Sequence, residues 1–146
     1  MDMACSLHCI ALRFDDGVDL LPSLKDALAC REVTSAVALS GIGMLRNFEI
    51  GWHGPDGYLK KVFEQPHELL SFSGTVNRKP DGAVFIHPHV CLSGVDYAAR
   101  GGHLFRGEVH NTFELVLYLP EGMTFHRTTI REGEPARFVP EAKAGH

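Results

Sequence analysis

The sequence predicts an α/β protein of the α+β kind, with one early helix packed on a mostly antiparallel multi-strand sheet. Three observations predict it. Helical spacing of apolar residues occurs near the N-terminus, at Leu20, Leu24 and Leu28. Beyond residue 36 the chain falls into short segments of alternating apolar and polar character. Clusters of Gly, Pro, Asn and Asp punctuate those segments. The 146 residues suffice for one ordinary domain and not for two full-sized ones. Residues 1–132 are read as that domain. Residues 133–146 contain Pro135, Pro140 and little apolar material, and are expected to be a flexible tail.

Residues 6–14 alternate as a strand, and Asp15-Asp16-Gly17 turns the chain. The helix follows, with Asp19 placed to cap it and Pro22 tolerated in its first turn. Leu21 and Ala27 widen its apolar stripe. A short buried strand over 36–39 ends in Ser40-Gly41-Ile42-Gly43, where glycines permit tight geometry or close approach of a ligand. Strands over 46–53 and 58–64 make a hairpin around Gly54-Pro55-Asp56-Gly57. Further strands are expected over 68–76, 83–92, 103–110 and 113–119, with a last, exposed one over 123–131.

The 45% hydrophobic and 22% charged residues are globular values, which excludes disorder, collagen-like repeats and a coiled coil as the main architecture. No stretch approaches the roughly 18–20 unbroken apolar residues of a membrane span. The N-terminus lacks a basic, then apolar, leader pattern, so a cytoplasmic location is expected. The cysteines, Cys5, Cys9, Cys30 and Cys91, form no Cys-x-x-Cys pair and read as buried thiols, with a Cys5/Cys9 zinc half-site as the other option. Lys and Arg total 14 against 18 Asp and Glu, a formal charge of -4, which does not mark a nucleic-acid binder. Nine histidines are the unusual count, and they direct attention to metal or proton chemistry.

The segment Val84-Phe85-Ile86-His87-Pro88-His89-Val90-Cys91-Leu92 is the most informative. On a strand, Val84, Ile86, Pro88, Val90 and Leu92 share a core face, and Phe85, His87, His89 and Cys91 share the other. His87 and His89 then stand about 7 Å apart at the backbone, and their rings can tilt towards one ion. Pro88 favours an edge or a bulge at this point. A third imidazole, His103 in Gly101-Gly102-His103, begins the neighbouring strand if the two pair antiparallel. Three neutral imidazoles with open positions are a catalytic-type zinc arrangement rather than a closed structural one. Cys91 is either a fourth ligand or a small buried residue one step along.

Ser40-Gly41-Ile42-Gly43, Glu68-Leu69-Leu70-Ser71-Phe72-Ser73-Gly74-Thr75, His87-Pro88-His89-Val90, Gly101-Gly102-His103-Leu104, Gly107-Glu108-Val109 and Glu114 occur in one order and spacing. Through these motifs the chain resembles the PPC domain, the plant and prokaryote conserved domain, from about residue 6 to residue 130. The resemblance implies one early helix on a largely antiparallel sheet, a homotrimer, and a metal site at His87, His89 and His103. Plant relatives carry basic AT-hook segments and bind AT-rich DNA, and prokaryotic members have been labelled DNA-binding on that basis. This chain has no Arg-Gly-Arg-Pro hook, and its small basic cluster, Arg78-Lys79, lies near Asp81.

The expected function is therefore metal binding, with zinc the first choice among metals that suit imidazole. A trimeric protein of this kind would hold a small-molecule ligand at the metal or act as a metal-dependent enzyme. Glu114 is the candidate acid/base, against a plain solvated carboxylate. Ser40, Gly41 and Gly43 are candidate cofactor-binding positions through their backbone N–H groups, against a plain strand-end turn. DNA binding is the alternative function, and partner binding through an exposed edge strand is a third. No membrane partner is expected.

Overall fold

The computed structural model describes residues 1–129 and 136–143. In chain order the elements are β1 (Asp2–Cys5), β2 (Cys9–Asp15), α1 (Leu20–Ala29), β3 (Ser35–Gly54), β4 (Gly57–Phe63), β5 (His67–Arg78), β6 (Val84–Ser93), β7 (Ala99–Tyr118), β8 (Met123–Thr128) and β9 (Arg137–Ala142). One helix packs on a mostly antiparallel sheet, as the periodicity predicts.

Two 20-residue strands, β3 and β7, organise everything else. They pair with each other from Val37↔Tyr118 to Gly51↔His103. One flank of β3 is filled first by β5 and then by β4. One flank of β7 is filled first by β6 and then by β2. The seven-stranded order is β1-β2-β7-β6-β5-β3-β4, and the additional β7–β3 pairing closes β3, β5, β6 and β7 into a ring. Inside lie Leu45, Phe48, Leu104 and Phe113, each at most 1% exposed.

Helix α1 covers the sheet with Leu20, Leu24 and Leu28, all fully buried. Each such leucine contributes about 1.5–3 kcal/mol by leaving water. Asp19 occupies the N-cap position, but its side chain makes no capping hydrogen bond. The other end is held from a distance. Arg78 of β5 donates to the carbonyls of Leu28 and Ala29, which also accept from backbone N–H groups of the following turn, and to the carbonyl of Val33.

Sequence pattern alone splits β3 into 36–39 and 46–53 with a turn between. The structure runs straight through Ser40–Gly43, with register shifts on either side. The glycines are there for close approach of neighbouring strands. A Cβ on Gly41 would lie 2.6 Å from that of Phe72, and one on Gly43, at φ +131°, would lie 2.2 Å from the Thr112 carbonyl oxygen. The segments expected at 103–110 and 113–119 are likewise one strand. Asn111 keeps β7 continuous at φ 64°, a conformation asparagine tolerates, and its N–H donates to Asp16 Oδ1 at 2.7 Å.

Two short strands lie outside the sequence expectation. β1 pairs with β2 at the sheet edge. β9 pairs with β8 from Met123↔Ala142 to Thr128↔Arg137. It falls within the stretch expected to be a flexible tail, and its Pro140 is tolerated because, among the described residues, β9 has a partner on one side only. The expected last strand, 123–131, ends at Thr128, and its residues 130 and 131 lie outside the described residues.

Candidate metal centre

The centre is built where β6 leaves β7. The β6–β7 ladder runs from Ser93↔Ala99 to His89↔His103 and ends there. Pro88 is the next residue of β6, and it pairs only with Gly74 of β5. A residue without an N–H suits the point at which a ladder stops. Along β6, Ile86, Pro88, Val90 and Leu92 are buried, whereas His87 and Cys91 are half-buried and His89 is exposed. The alternation thus delivers His87 and His89 to one face.

His103 reaches the same face from β7, flanked by β6 through His89 and by β3 through Gly51. Gly101 and Gly102 are strand residues, not a ligand loop. A Cβ on Gly102 would lie 2.7 Å from the Gly51 carbonyl oxygen, and one on Gly101 would lie 2.8 Å from that of Val90. Only glycine lets three backbones come this close beneath the histidines.

One ligand atom each from His87, His89 and His103 lies within 4.8 Å of the others. The Nε2 atoms of His87 and His89 are 3.2 Å apart. His103 is packed between Tyr58 and Phe105, with ring centroids at 5.3 and 4.7 Å. Its Nδ1 is buried without a hydrogen-bond partner. Burial, followed by the nearby His87, His89, Arg127 and Lys60, holds the His103 imidazolium down to about 4. Burial, Arg127 and His89 also push His87 down. Two imidazoles biased to the neutral form, one of them with an orphaned, buried nitrogen, beside a third at ligand distance suit a transition metal, so the residues fit a metal ion.

The centre also contains a residue the sequence does not single out. Arg127 of β8 places Nη2 2.5 Å from His87 Nδ1. No spacing rule links position 127 to position 87, because the contact joins two separate sheets.

The remaining candidate residues lie elsewhere. Glu114 is on the far part of β7, exposed, paired with Arg13 of β2 and Ile42 of β3. It is not brought to the histidines, because the parity and distance depend on a continuous β7 rather than on a hairpin. Ser40, Gly41 and Gly43 pair with that same far part of β7, at Val116, Leu115 and Phe113. Their strand setting leaves no loop to wrap a ligand. Cys91 pairs with Ser71 and Gly101, and its thiol does not join the histidine group. Cys5 and Cys9 gather no further ligands among the described residues. The Arg78 guanidinium is taken up by carbonyls of α1 and by Gly82, which removes half of the small basic cluster. No helix among the described residues is long and apolar enough to cross a membrane.

The fold and site together define a small β protein with one helix among the described residues and a three-histidine cluster. The chain belongs to the Plants and Prokaryotes Conserved (PCC) domain family, whose model matches residues 1–119. A plant- and prokaryote-conserved (PPC) protein from Pyrococcus horikoshii is similar at 28% identity and a TM-score of 0.76, with 90% of each chain covered. A metal-containing protein from Archaeoglobus fulgidus is similar at 35% identity and a TM-score of 0.68, covering 76% of this chain and 78% of that one. A protein from Bacteroides thetaiotaomicron, described as a "putative dna binding protein", shares the fold with a TM-score of 0.85 at 17% identity, covering 94% of this chain and 96% of that one. No curated protein matches the chain.

Proposed function

We propose that this protein binds a transition metal, zinc in the first instance, through His87, His89 and His103. The observation that carries the reading is the convergence of three imidazole nitrogens within 4.8 Å from two adjacent strands. The similar Archaeoglobus fulgidus protein, described as metal-containing, supports it. When bound, such a metal supplies Lewis acidity to a ligand or a water. The chain's own residues favour the neutral forms of His87 and His103 by burial and wall one side of the centre with Tyr58 and Phe105. With three protein ligands a position stays open, which fits a small-molecule-binding protein or a metal-dependent enzyme of the cytoplasm. Elemental analysis of protein purified without chelators tests the reading. Stoichiometric metal that disappears in His87→Ala and His103→Ala is expected, and a metal-free parent protein overturns it.

The reading includes a homotrimer, as the family resemblance implies. Ile42 and Leu70 flank the Gly43↔Leu69 pair and are 54% and 55% exposed, and Leu39 is 59% exposed. Apolar side chains this exposed on sheet strands favour contact with another copy.

DNA binding is the second reading, favoured by the description of the Bacteroides thetaiotaomicron neighbour. The charge of -4 weighs against it, since phosphate binding draws on several cations at once. Titration of AT-rich duplex at low and moderate salt decides it, and no binding at low salt removes it.

A further inference from the structure

We propose that Arg127 is the anion-binding residue of the three-histidine centre, selecting a small molecule that carries a carboxylate or phosphate group. The proposal rests on the metal-binding reading for its setting and adds the ligand class.

Among the described residues Arg127 has only neutral partners. Its Nη2 contacts His87 Nδ1 at 2.5 Å and Thr75 Oγ1 at 3.3 Å, and Nη1 donates to the Ala136 carbonyl at 3.2 Å. Its Nε is buried with no partner. Arg13, Arg46 and Arg100, by contrast, each pair with an aspartate. A partly buried guanidinium with no counter-ion among the described residues is costly, and an incoming anion offsets that cost. The imidazoles beside it supply no negative charge.

Arg127 also lines a cavity of about 560 Å³ together with Lys79, Phe85 and His126. The Phe85 ring lies 5.3 Å from Arg127 Cζ and 5.8 Å from Lys79 Nζ. The side chain therefore borders both the histidine cluster and a recess with an aromatic wall and a second cation. Glu141 stands at the side, 3.7 Å from His126 Nδ1.

The contact with His87 makes Arg127 responsive to the centre. A guanidinium only donates, so His87 Nδ1 accepts and the ring proton sits on Nε2, facing His89. A neutral imidazole that ligates through Nε2 carries its proton on Nδ1, where it opposes the guanidinium. Were His87 to hold a metal through Nε2, this contact would be lost and Nη2 would be free for an oxygen of the ligand.

The test is calorimetric titration of benzoate and of inorganic phosphate into zinc-loaded and chelator-stripped full-length protein. Binding of at least one probe is expected, and Arg127→Met should weaken it about tenfold or more. Arg127→Lys keeps the charge and should retain part of the affinity, which separates loss of charge from loss of fold. Zinc per chain should not fall in either variant. Two results overturn the proposal: neither probe binds either form of the parent, or Arg127→Met binds as tightly as the parent. If zinc is absent but stripped protein binds a probe through Arg127, the metal reading alone fails. If zinc is held by the histidines but the probes ignore Arg127, the anion proposal alone fails.

Discussion

His89 of β6 pairs directly across the ladder with His103 of β7, and this one register pair closes the three-histidine group. Side chains alternate along a strand, so a slip of one residue between β6 and β7 would send His103 to the opposite face. An ion held by both histidines would couple metal binding to sheet stability, because it would resist separation of the two strands. Adding zinc to stripped protein should raise the melting temperature of the parent by several degrees at zinc well above its dissociation constant. His103→Ala should show no such rise. A melting temperature indifferent to zinc in the parent would count against the centre.

The register is protected by glycine beneath His103. A Cβ at position 102 would stand 2.7 Å from the Gly51 carbonyl oxygen, and backbone cannot step aside as a flexible side chain can. Gly102→Ala is expected to cost about 1–3 kcal/mol in chemical denaturation. It should also weaken zinc binding, although residue 102 offers no ligand atom. Unchanged stability would mean that the strands approach less closely than described.

Acid should destabilise the metal-free protein in a defined window. The folded His103 imidazolium titrates at about 4, against an ordinary value of 6.5. As pH falls through 6.5 the unfolded chain takes up a proton that the folded chain refuses. The contribution to stability is therefore complete above 6.5 and is lost progressively towards 4. His87 is shifted in the same direction and adds to the loss. Denaturation midpoints between these pH values should fall more steeply for the parent than for His103→Asn, and parallel curves would refute the assignment.

The exposed apolar strand face should behave as an interface between copies. Ile42→Glu combined with Leu70→Glu places charges at positions that are 54% and 55% exposed, so the isolated fold should tolerate them. Light scattering is expected to report a trimer for the parent and a smaller species for the double variant. An unchanged mass in the variant would place the interface elsewhere.

Arg78 should prove structural rather than nucleic-acid binding. Its guanidinium donates to the Leu28 and Ala29 carbonyls at the end of α1 and to the Val33 carbonyl beyond it. Arg78→Ala is expected to lose about 1–3 kcal/mol of stability, because the charge-assisted hydrogen bonds that tie β5 to the end of α1 are lost. A variant as stable as the parent but weaker on duplex DNA would reverse this view.

The elements legible in the sequence were those whose pattern is local. The helical spacing of Leu20, Leu24 and Leu28 located α1, and strict alternation located His87 and His89 on one face of β6. The 54–57 turn located the β3–β4 hairpin. Local signals misled where glycine serves a neighbour rather than its own backbone. Gly41, Gly43 and Gly102 look like loop residues along the chain and are packing residues across it. Glu114 and the Ser40–Gly43 segment were linked to the histidines only through loops that the continuous β3 and β7 do not contain.

The sequence by itself determined the fold class, the family and the three histidines, because strand periodicity and motif order survive without knowledge of contacts. Tertiary structure alone decided what surrounds those histidines. Closure of the sheet through β3 and β7 removes Glu114 from the centre, and the β8–β9 pair presents Arg127 to His87. Both outcomes depend on pairing between segments distant along the chain, which no local spacing encodes.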